Sequence, residues 1–261
     1  MQIFLPPSEG KTAPTSGQKL DIARLSFAGL EKARLQVIDC LQRMCNDDPQ
    51  AAMNALKLSP RQQSEVSANA SLTHAPVAEA WQVYSGVLYQ EFDIGVMSAK
   101  MRDVAHSRLV IFSGLWGILR PNDRIPAYRC AATAQLPDLF GQRSGTVGAY
   151  WRKHLKTYLR QAIGDEFVLD LRSTPYVKMW QPGGEYASVR VLQERIVDGV
   201  TRRSVVSHFN KATKGRIVAD LMTADAQPAT MAAAVETLRD LKYRAEADED
   251  ARRIDVIVDT V

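Results

Sequence analysis

Short apolar runs and longer amphipathic segments follow one another along this chain. Apolar runs predict strands at residues 2–5, 109–112, 167–171, 186–192, 204–207 and 254–258. Apolar residues at helical spacing predict helices at residues 30–44, 146–163, 210–222 and 230–243. Prolines that follow Asp48 and Ser59 punctuate further helices, so the first half is expected to be mainly helical. The charged stretch 246–253 is interpreted as a solvated turn.

This mixed order of elements favours an α/β (α+β) fold with a mixed sheet wrapped by helices. No repeat or low-complexity linker divides the sequence, and 261 residues is an ordinary length for one domain. We therefore expect a single domain over residues 1–261.

Composition narrows the class of protein. Hydrophobic residues make up 46% and charged residues 24% of the chain, which is typical of a folded globular protein. Its apolar runs are far shorter than the roughly 20 residues that span a bilayer, and no secretory signal follows Met1. The three cysteines are an odd count without a CxxC pair, so neither disulfides nor a zinc site are expected. These features predict a cytoplasmic protein with no membrane partner.

Several well-known motifs are absent. The stretch Gly10-Lys11-Thr12 follows a strand, but Leu5 stands where a P-loop has its first glycine. The chain has no GxGxxG, no GxSxG elbow and no paired histidine spacing. A P-loop NTPase, a serine hydrolase and a metal site are therefore not expected, and no cofactor is implied.

What remains is a formal charge of +4 and four polar clusters beside predicted strands. They are Ser8, Glu9, Lys11 and Thr12; Arg120, Asp123, Arg124, Tyr128 and Arg129; Asp170, Arg172, Ser173, Thr174 and Tyr176; and Asn210, Lys211, Lys214 and Arg216. Polar residues in loops at strand ends are commonly functional. We interpret the clusters as one basic site for phosphate or another anion.

Two of these clusters carry a specific physical argument. Prolines stiffen the loop that holds Arg120 and Arg129, which suits bidentate recognition of phosphate. Lys211 and Lys214 lie near the predicted start of a helix capped by Asn210, where cations oppose the helix dipole. A bound anion would offset this unfavourable arrangement.

The turn from Gly114 to Gly117 resembles the hairpin of helix-hairpin-helix modules, whose backbone N–H groups hold a nucleic-acid phosphate. On the helix at 146–163, further candidates for lining a groove are the basic and aromatic residues Tyr150, Trp151, Arg152, Lys153, Lys156, Tyr158 and Arg160. The aromatic residues of that helix share one face, which is typical of a core.

Three segments resemble the YaaA family of peroxide-stress proteins, in an actinobacterial form. They are PPSEGKT at 6–12, SGLWGILRPND at 113–123 with PAYR at 126–129, and SHFNKATKGR at 207–216. The resemblance implies a cytosolic oxidative-stress protein that limits damage from unincorporated iron, with a curled α/β fold, a positively charged cleft and a DNA-binding helix-hairpin-helix. It assigns the family's charged positions to Lys11, Arg120, Asp123, Tyr128, Arg129, Lys211, Lys214 and Arg216.

Two functions remain open. One is a stress protein that binds duplex or branched DNA, or a small phosphate-bearing ligand, with no protein partner evident. The other is an enzyme acting on a nucleotide, nucleobase or small anion, because Glu9, Asp123 and Tyr128 suit acid–base chemistry better than phosphate binding. An iron-binding role ranks last, since the sequence has no recognisable ligand set.

Overall fold

The computed structural model describes residues 1–141, 144–205 and 207–259. Its strands in these ranges are β1 Gln2–Leu5, β2 Ala78–Glu79, β3 Leu109–Ser113, β4 Gly117–Leu119, β5 Arg124–Ile125, β6 Val168–Asp170, β7 Tyr186–Val197, β8 Val200–Ser204, β9 Arg244–Asp248 and β10 Arg253–Asp259. Eight of them form one mixed sheet in the order β4-β3-β1-β6-β7-β10-β9, with β8 paired to β7. β2 and β5 form a separate pair.

The α-helices of the described ranges lie mostly between these strands. They are α1 Glu31–Asp47, α2 Pro49–Ala55, α3 Gln63–Ala70, α4 Ala80–Val83, α5 Val87–Glu91, α6 Ala99–Arg108, α7 Val147–Ile163, α8 Thr174–Val177, α9 Ser207–Thr223 and α10 Met231–Asp240. Short 3-10 turns lie at Ile22–Arg24, Ala28–Leu30, Pro60–Gln62, Leu72–His74 and Ile94–Val96. The prediction of a mixed sheet wrapped by helices is confirmed.

The centre of the sheet is formed by the most apolar strands. β1 is parallel to β3 on one side and to β6 on the other, and β3 is fully buried. Strands buried on both faces read as continuous apolar runs, as the segments at 2–5 and 109–112 do. Phe4 and Phe112 meet across β1 and β3 with ring centroids 5.1 Å apart.

Helix α7 shows how local sequence sets an element. The Thr146 side chain accepts a hydrogen bond from the Ala149 N–H and caps the helix. Trp151 and Leu155 are fully buried on one face, which confirms that its aromatic face belongs to the core. The helix ends at Ile163, and Gly164 caps it with a φ of 60° that favours glycine.

Three sequence predictions need correction. The strand predicted at 204–207 is wrong, because β8 ends at Ser204 and α9 begins at Ser207. Asn210 is not the N-cap, since it lies inside the first turn of α9. The stretch 246–253 is not one solvated turn, because its first residues belong to β9 and pair with β10.

The helix-hairpin-helix detail is not confirmed. The turn from Gly114 to Gly117 joins two antiparallel strands, with Ser113 opposite Gly117. Both glycines serve close packing: a Cβ on Gly114 would come within 2.4 Å of the Cys130 carbonyl oxygen, and one on Gly117 within 2.7 Å of the Trp151 ring. This segment is therefore a β-hairpin packed on the core.

A topological switch point lies at the centre of the sheet. The chain leaves β1 towards β3 on one side and leaves β6 towards β7 on the other. The loops that follow β1 and β6 therefore diverge, and in parallel sheets ligands commonly bind in the crevice between such loops. Within the described residues, no helix is long and apolar enough to span a membrane.

Candidate anion-binding cleft

A cleft of about 550 Å³ lies at this switch point. Its walls are the loop after β1, the loop after β6, the start of α5 and the first turns of α9. Five of its cations come from these segments and from the segment at 128–131, and Arg190 of β7 adds another. Arg190 becomes a wall residue because β6 and β8 pair with β7 on either side of residues 189–192.

The structure brings together more than half of the predicted site residues. Those in the cleft are Ser8, Glu9, Lys11, Tyr128, Arg129, Arg172, Ser173, Lys211 and Lys214. Those outside its lining are Thr12, Gly114, Gly117, Arg120, Asp123, Arg124 and Arg216. The first and last clusters of the sequence thus contribute most of their members, and the cluster around Arg120 contributes only Tyr128 and Arg129.

The cations outside the cleft have structural partners. Arg120 donates to the Gln2 side chain at 2.9 Å and to the Leu109 carbonyl at 3.0 Å, and stacks on Phe27. Arg124 donates to the Val77 carbonyl at 3.3 Å, and Arg216 lies 4.0 Å from Glu91. These contacts explain the positions of the three arginines, and no bound ligand is needed to explain them.

Asp123 is also placed elsewhere. Its carboxylate accepts hydrogen bonds from the backbone N–H groups of Ser26 at 2.7 Å and Arg120 at 2.8 Å. Both carboxylate oxygens are thus engaged by backbone N–H groups, so Asp123 fixes the loop around it. Asp123 lies with Arg124 on a separate groove, so the three candidate acid–base residues are not assembled in one site.

Tyr128 lies beneath the cleft with its hydroxyl turned inward. That hydroxyl is 2.7 Å from the Ser113 hydroxyl and 2.8 Å from the Tyr84 hydroxyl, in a buried chain of three. Burial, together with the neighbouring Tyr84, raises the pKa of Tyr128 well above its usual value. The ring face, rather than the hydroxyl, is what Tyr128 offers to the cleft.

Lys11 extends over that ring. Its Nζ is 4.3 Å from the centre of the Tyr128 ring and 5.5 Å from that of Tyr84, and donates to the Ser8 carbonyl at 2.8 Å. Burial, with the nearby Arg129 charge, lowers the pKa of Lys11 to about 7, against smaller opposing effects of acidic groups that include Glu9. The ammonium is held close to its titration point near neutral pH.

Lys214 is the most enclosed lysine of the site. Only 7% of it is exposed, and its Nζ donates to the Leu171 carbonyl at 3.1 Å. Burial lowers the pKa of Lys214 to about 8, although Asp170 acts in the opposite direction. Within the described residues neither Lys214 nor Lys11 forms an ion pair within 4.0 Å.

The arginines of the cleft are better balanced. Arg172 is buried and pairs with Asp170 through two bonds of 2.8 and 2.6 Å, and it stacks 4.0 Å above Phe112. Arg190 makes the same bidentate contact with Asp255. Arg129 donates to the Glu9 carbonyl at 3.0 Å and lies 3.9 Å from the Glu9 carboxylate. The uncompensated charge of the cleft therefore belongs to its lysines.

Two polar atoms of the lining have no hydrogen-bond partner within the part of the chain that the structure describes. These are Ser8 Oγ and Asn210 Oδ1. Ser8 lies against Gly86, where a Cβ would come within 2.3 Å of the hydroxyl. Buried polar atoms are seldom left unpaired, so both are notable in one cleft.

Sequence reasoning missed several wall residues. Arg190 and Tyr89 line the cleft, yet they lie in segments that read as ordinary strand or helix. Arg190 stands inside β7 among alternating residues, and only the pairing of β7 beside β6 brings it to the site. Tyr176, the last residue of the third sequence cluster, also lines the cleft.

No group of three or more His, Cys, Asp or Glu side chains suitable for a metal ion occurs in the described ranges. The cysteines at 40, 45 and 130 are free and buried. Cys130 lines the cleft, where burial raises the pKa of its thiol to about 12, despite the opposing charge of Lys11. Its thiol is therefore a poor nucleophile at neutral pH.

Comparison with known proteins places the whole arrangement in one family. The chain is 42% identical to a UPF0246 protein of Streptomyces coelicolor over the full length of both chains. It is 34% identical to a UPF0246 protein of Corynebacterium efficiens, over 95% of this chain and 96% of the other. The model of the family described as peroxide stress protein YaaA matches residues 1–249, a span that includes every wall of the cleft. The chain belongs to the YaaA family of peroxide stress proteins.

Proposed function

We propose that the cleft at the switch point binds a small phosphate-bearing ligand as part of the peroxide-stress role that the family name indicates. The observation that carries the proposal is the buried ammonium of Lys214 in a cleft that also holds Lys11 and Lys211. A buried cation costs free energy unless it is paired, and a phosphate supplies the missing partner.

The charge balance of the cleft supports this ligand. The cations of the lining are Lys11, Arg129, Arg172, Arg190, Lys211 and Lys214, against the single carboxylate of Glu9. Asp170 and Asp255 neutralise two of the arginines from behind, and Glu9 is mostly exposed. The excess rests on three lysines, which suits a phosphate dianion.

The size of the cleft favours a small molecule over a duplex. About 550 Å³ is in the range of small-molecule sites. Lys214 is too enclosed for a duplex phosphate to approach, whereas Lys211 is exposed at the rim.

Calorimetric titration with inorganic phosphate and ribose 5-phosphate tests the proposal. Both are expected to bind the wild type, and Lys214→Met is expected to lower the affinity at least tenfold. Lys32→Met, on the exposed face of α1, is the matched control and should bind as the wild type does. No binding of either probe to the wild type, or equal binding by Lys214→Met, would overturn the proposal.

DNA binding is a second candidate, favoured by a different surface. Arg152, Lys156 and Arg160 follow one another at four-residue spacing on α7 and line a groove of about 730 Å³ with Lys178. Such spacing places the three on one face of the helix, so they can contact successive phosphates. Asp165, Glu166 and Glu185 line the same groove and oppose this charge.

A salt titration with duplex and branched DNA separates the two candidates. If DNA binds through this groove, affinity falls steeply with salt, and the triple change Arg152→Ala, Lys156→Ala and Arg160→Ala weakens it. Lys214→Met should leave DNA affinity unchanged. Absence of binding at low salt would contradict this second candidate.

A further inference from the structure

The cleft offers more than a phosphate site, because much of its lining is apolar or aromatic. Leu56, Val87, Leu88, Tyr89, Tyr176 and Val189 contribute to its walls. Tyr89 is fixed in place, since its hydroxyl donates to the Pro6 carbonyl at 2.7 Å and its ring packs on Tyr84 at 5.0 Å. A bare phosphate would leave these surfaces without a contact.

The unpartnered atoms set a second requirement. Asn210 Oδ1 is a hydrogen-bond acceptor that is closed off from solvent, and it has no donor among the described residues. A phosphate dianion has no proton to give, so it cannot satisfy this atom. The partner must carry a hydroxyl or an N–H group.

The position of Asn210 indicates where the donor group of the ligand lies. Asn210 and Lys214 stand four residues apart on α9, so their side chains are neighbours on one face of the helix. Ser8 lies beside Lys11, whose Nζ donates to the Ser8 carbonyl at 2.8 Å. Because both atoms are closed off, the ligand would reach them only after a change of rotamer. The donor groups of the ligand therefore lie next to its phosphate, as the hydroxyls of a sugar phosphate do.

These requirements are met together by one class of molecule. Resting on the phosphate site proposed above, we infer that the ligand is a nucleoside monophosphate: its phosphate binds the lysines, its ribose hydroxyls bond to Asn210 and Ser8, and its base lies against the Tyr89 and Tyr176 walls. Base–aromatic contacts are tolerant of base identity and add substantially to affinity. The volume of about 550 Å³ accommodates a molecule of this size.

The test compares three probes that add one part of the ligand at a time: inorganic phosphate, ribose 5-phosphate, and AMP or UMP. Calorimetry on the full chain is expected to show affinity rising at each step, with the nucleotides at least tenfold tighter than ribose 5-phosphate. Asn210→Ala and Ser8→Ala should each weaken ribose 5-phosphate and nucleotide binding about three- to thirtyfold. Neither change should affect inorganic phosphate.

Tyr176→Leu isolates the base. It keeps an apolar side chain at the half-buried wall, and it should weaken AMP and UMP while leaving ribose 5-phosphate unchanged. Thermal melting without ligand shows that each variant is folded. Asn210→Asp offers a second check, because its added negative charge should repel all three probes.

The outcomes distinguish this inference from the phosphate site on which it rests. If all three probes bind with equal affinity and Lys214→Met weakens them all, the phosphate site stands and the nucleotide inference is wrong. If none of the probes binds, the phosphate site fails and the inference fails with it. If ribose 5-phosphate and the nucleotides bind equally, the ribose contact stands but the base contact, and so the nucleotide, is excluded.

Discussion

The Lys11 ammonium lies 4.3 Å from the centre of the Tyr128 ring, on the floor of the cleft. The ring contact favours the charged form of lysine, whereas burial and the Arg129 charge favour the neutral form. The balance brings the pKa of Lys11 to about 7 and leaves it free to respond to a bound anion.

Anion affinity is therefore expected to fall as pH rises. Lys11, with a pKa of about 7, and Lys214, with a pKa of about 8, must be protonated to bind phosphate. A phosphate ester, whose second pKa is about 6, is already almost entirely a dianion at pH 7.5, so its own charge hardly changes above that pH. Ribose 5-phosphate should lose roughly tenfold in affinity per pH unit near pH 7.5 and close to a hundredfold per unit near pH 9, where both lysines are mostly neutral in the free protein. Calorimetry measures this loss.

The same calorimetric experiment detects the uptake of protons that accompanies binding. Binding should raise the pKa of both lysines, so protons are taken up from the buffer near pH 8, and the apparent enthalpy should depend on the buffer's ionisation enthalpy. Lys11→Met should flatten the lower part of the pH profile, and Lys32→Met should not. An affinity that stays constant from pH 7 to 9 would contradict the assignment.

Lys214→Met should stabilise the free protein while removing its ligand affinity. The folded-state pKa of about 8 lies below the lysine value of 10.5, so the native state carries the cost of a buried ammonium at low pH. The variant should unfold with a free energy higher by about 1–3 kcal/mol at pH 6, measured by urea denaturation.

The sign of that difference depends on pH. Between pH 8 and 10.5 the unfolded wild type binds more protons than the folded one, so wild-type stability rises with pH relative to the variant. The advantage of Lys214→Met should shrink towards pH 10. A variant less stable than the wild type at pH 6 would indicate that the bond to the Leu171 carbonyl outweighs the cost of burial.

Gly215→Ala should push apart the two helices α9 and α5, which both contribute to the wall of the cleft. A Cβ on Gly215 would come within 2.4 Å of the Leu88 carbonyl oxygen and 2.7 Å of Glu91 Cβ, where α9 crosses α5. Such overpacking typically costs about 1–3 kcal/mol, and it moves the helix that carries Val87 and Tyr89. Denaturation and ligand titration should both show a loss. Gly184→Ala, where a Cβ meets nothing within 4 Å, is the control.

Asp123→Asn should show whether Asp123 stabilises the fold or takes part in ligand binding. The carboxylate fixes the Ser26 and Arg120 backbone away from the cleft, so the change should destabilise the fold by about 1–3 kcal/mol. Binding of ribose 5-phosphate by the folded fraction should not change. A loss of ligand affinity or of any activity without a loss of stability would show that Asp123 belongs to the functional site.

The sequence predicted the strands that form the centre of the sheet, because burial on both faces produces continuous apolar runs. The same signal fails for β8, whose residues are all exposed, and for β9, which the charged stretch concealed. The edges of a sheet are defined by pairing partners, and a single chain's hydrophobicity does not reveal them.

The candidate site was predicted in part for a related reason. Lys11, Arg129, Lys211 and Lys214 stand where the hydrophobic pattern does not explain them, so the sequence singles them out. Arg120 and Asp123 stand out equally, but they fix the backbone elsewhere. Charge and loop position indicate that a residue has a specific role. Only its neighbours in three dimensions show whether that role is to bind a ligand or to stabilise the fold.

The central strand has a consequence for how the protein is made. β1 precedes its partners by more than a hundred residues along the sequence, because it pairs with Leu109 to Ile111 on one side and with Val168 to Asp170 on the other. Contacts of such sequence separation form slowly. The cleft around the loop that carries Lys11 therefore forms only after most of the chain has been synthesised. It is complete only when α9 has also folded. A nucleotide that binds this cleft would therefore select chains that have finished folding, and it would draw slow ones towards the native state by mass action.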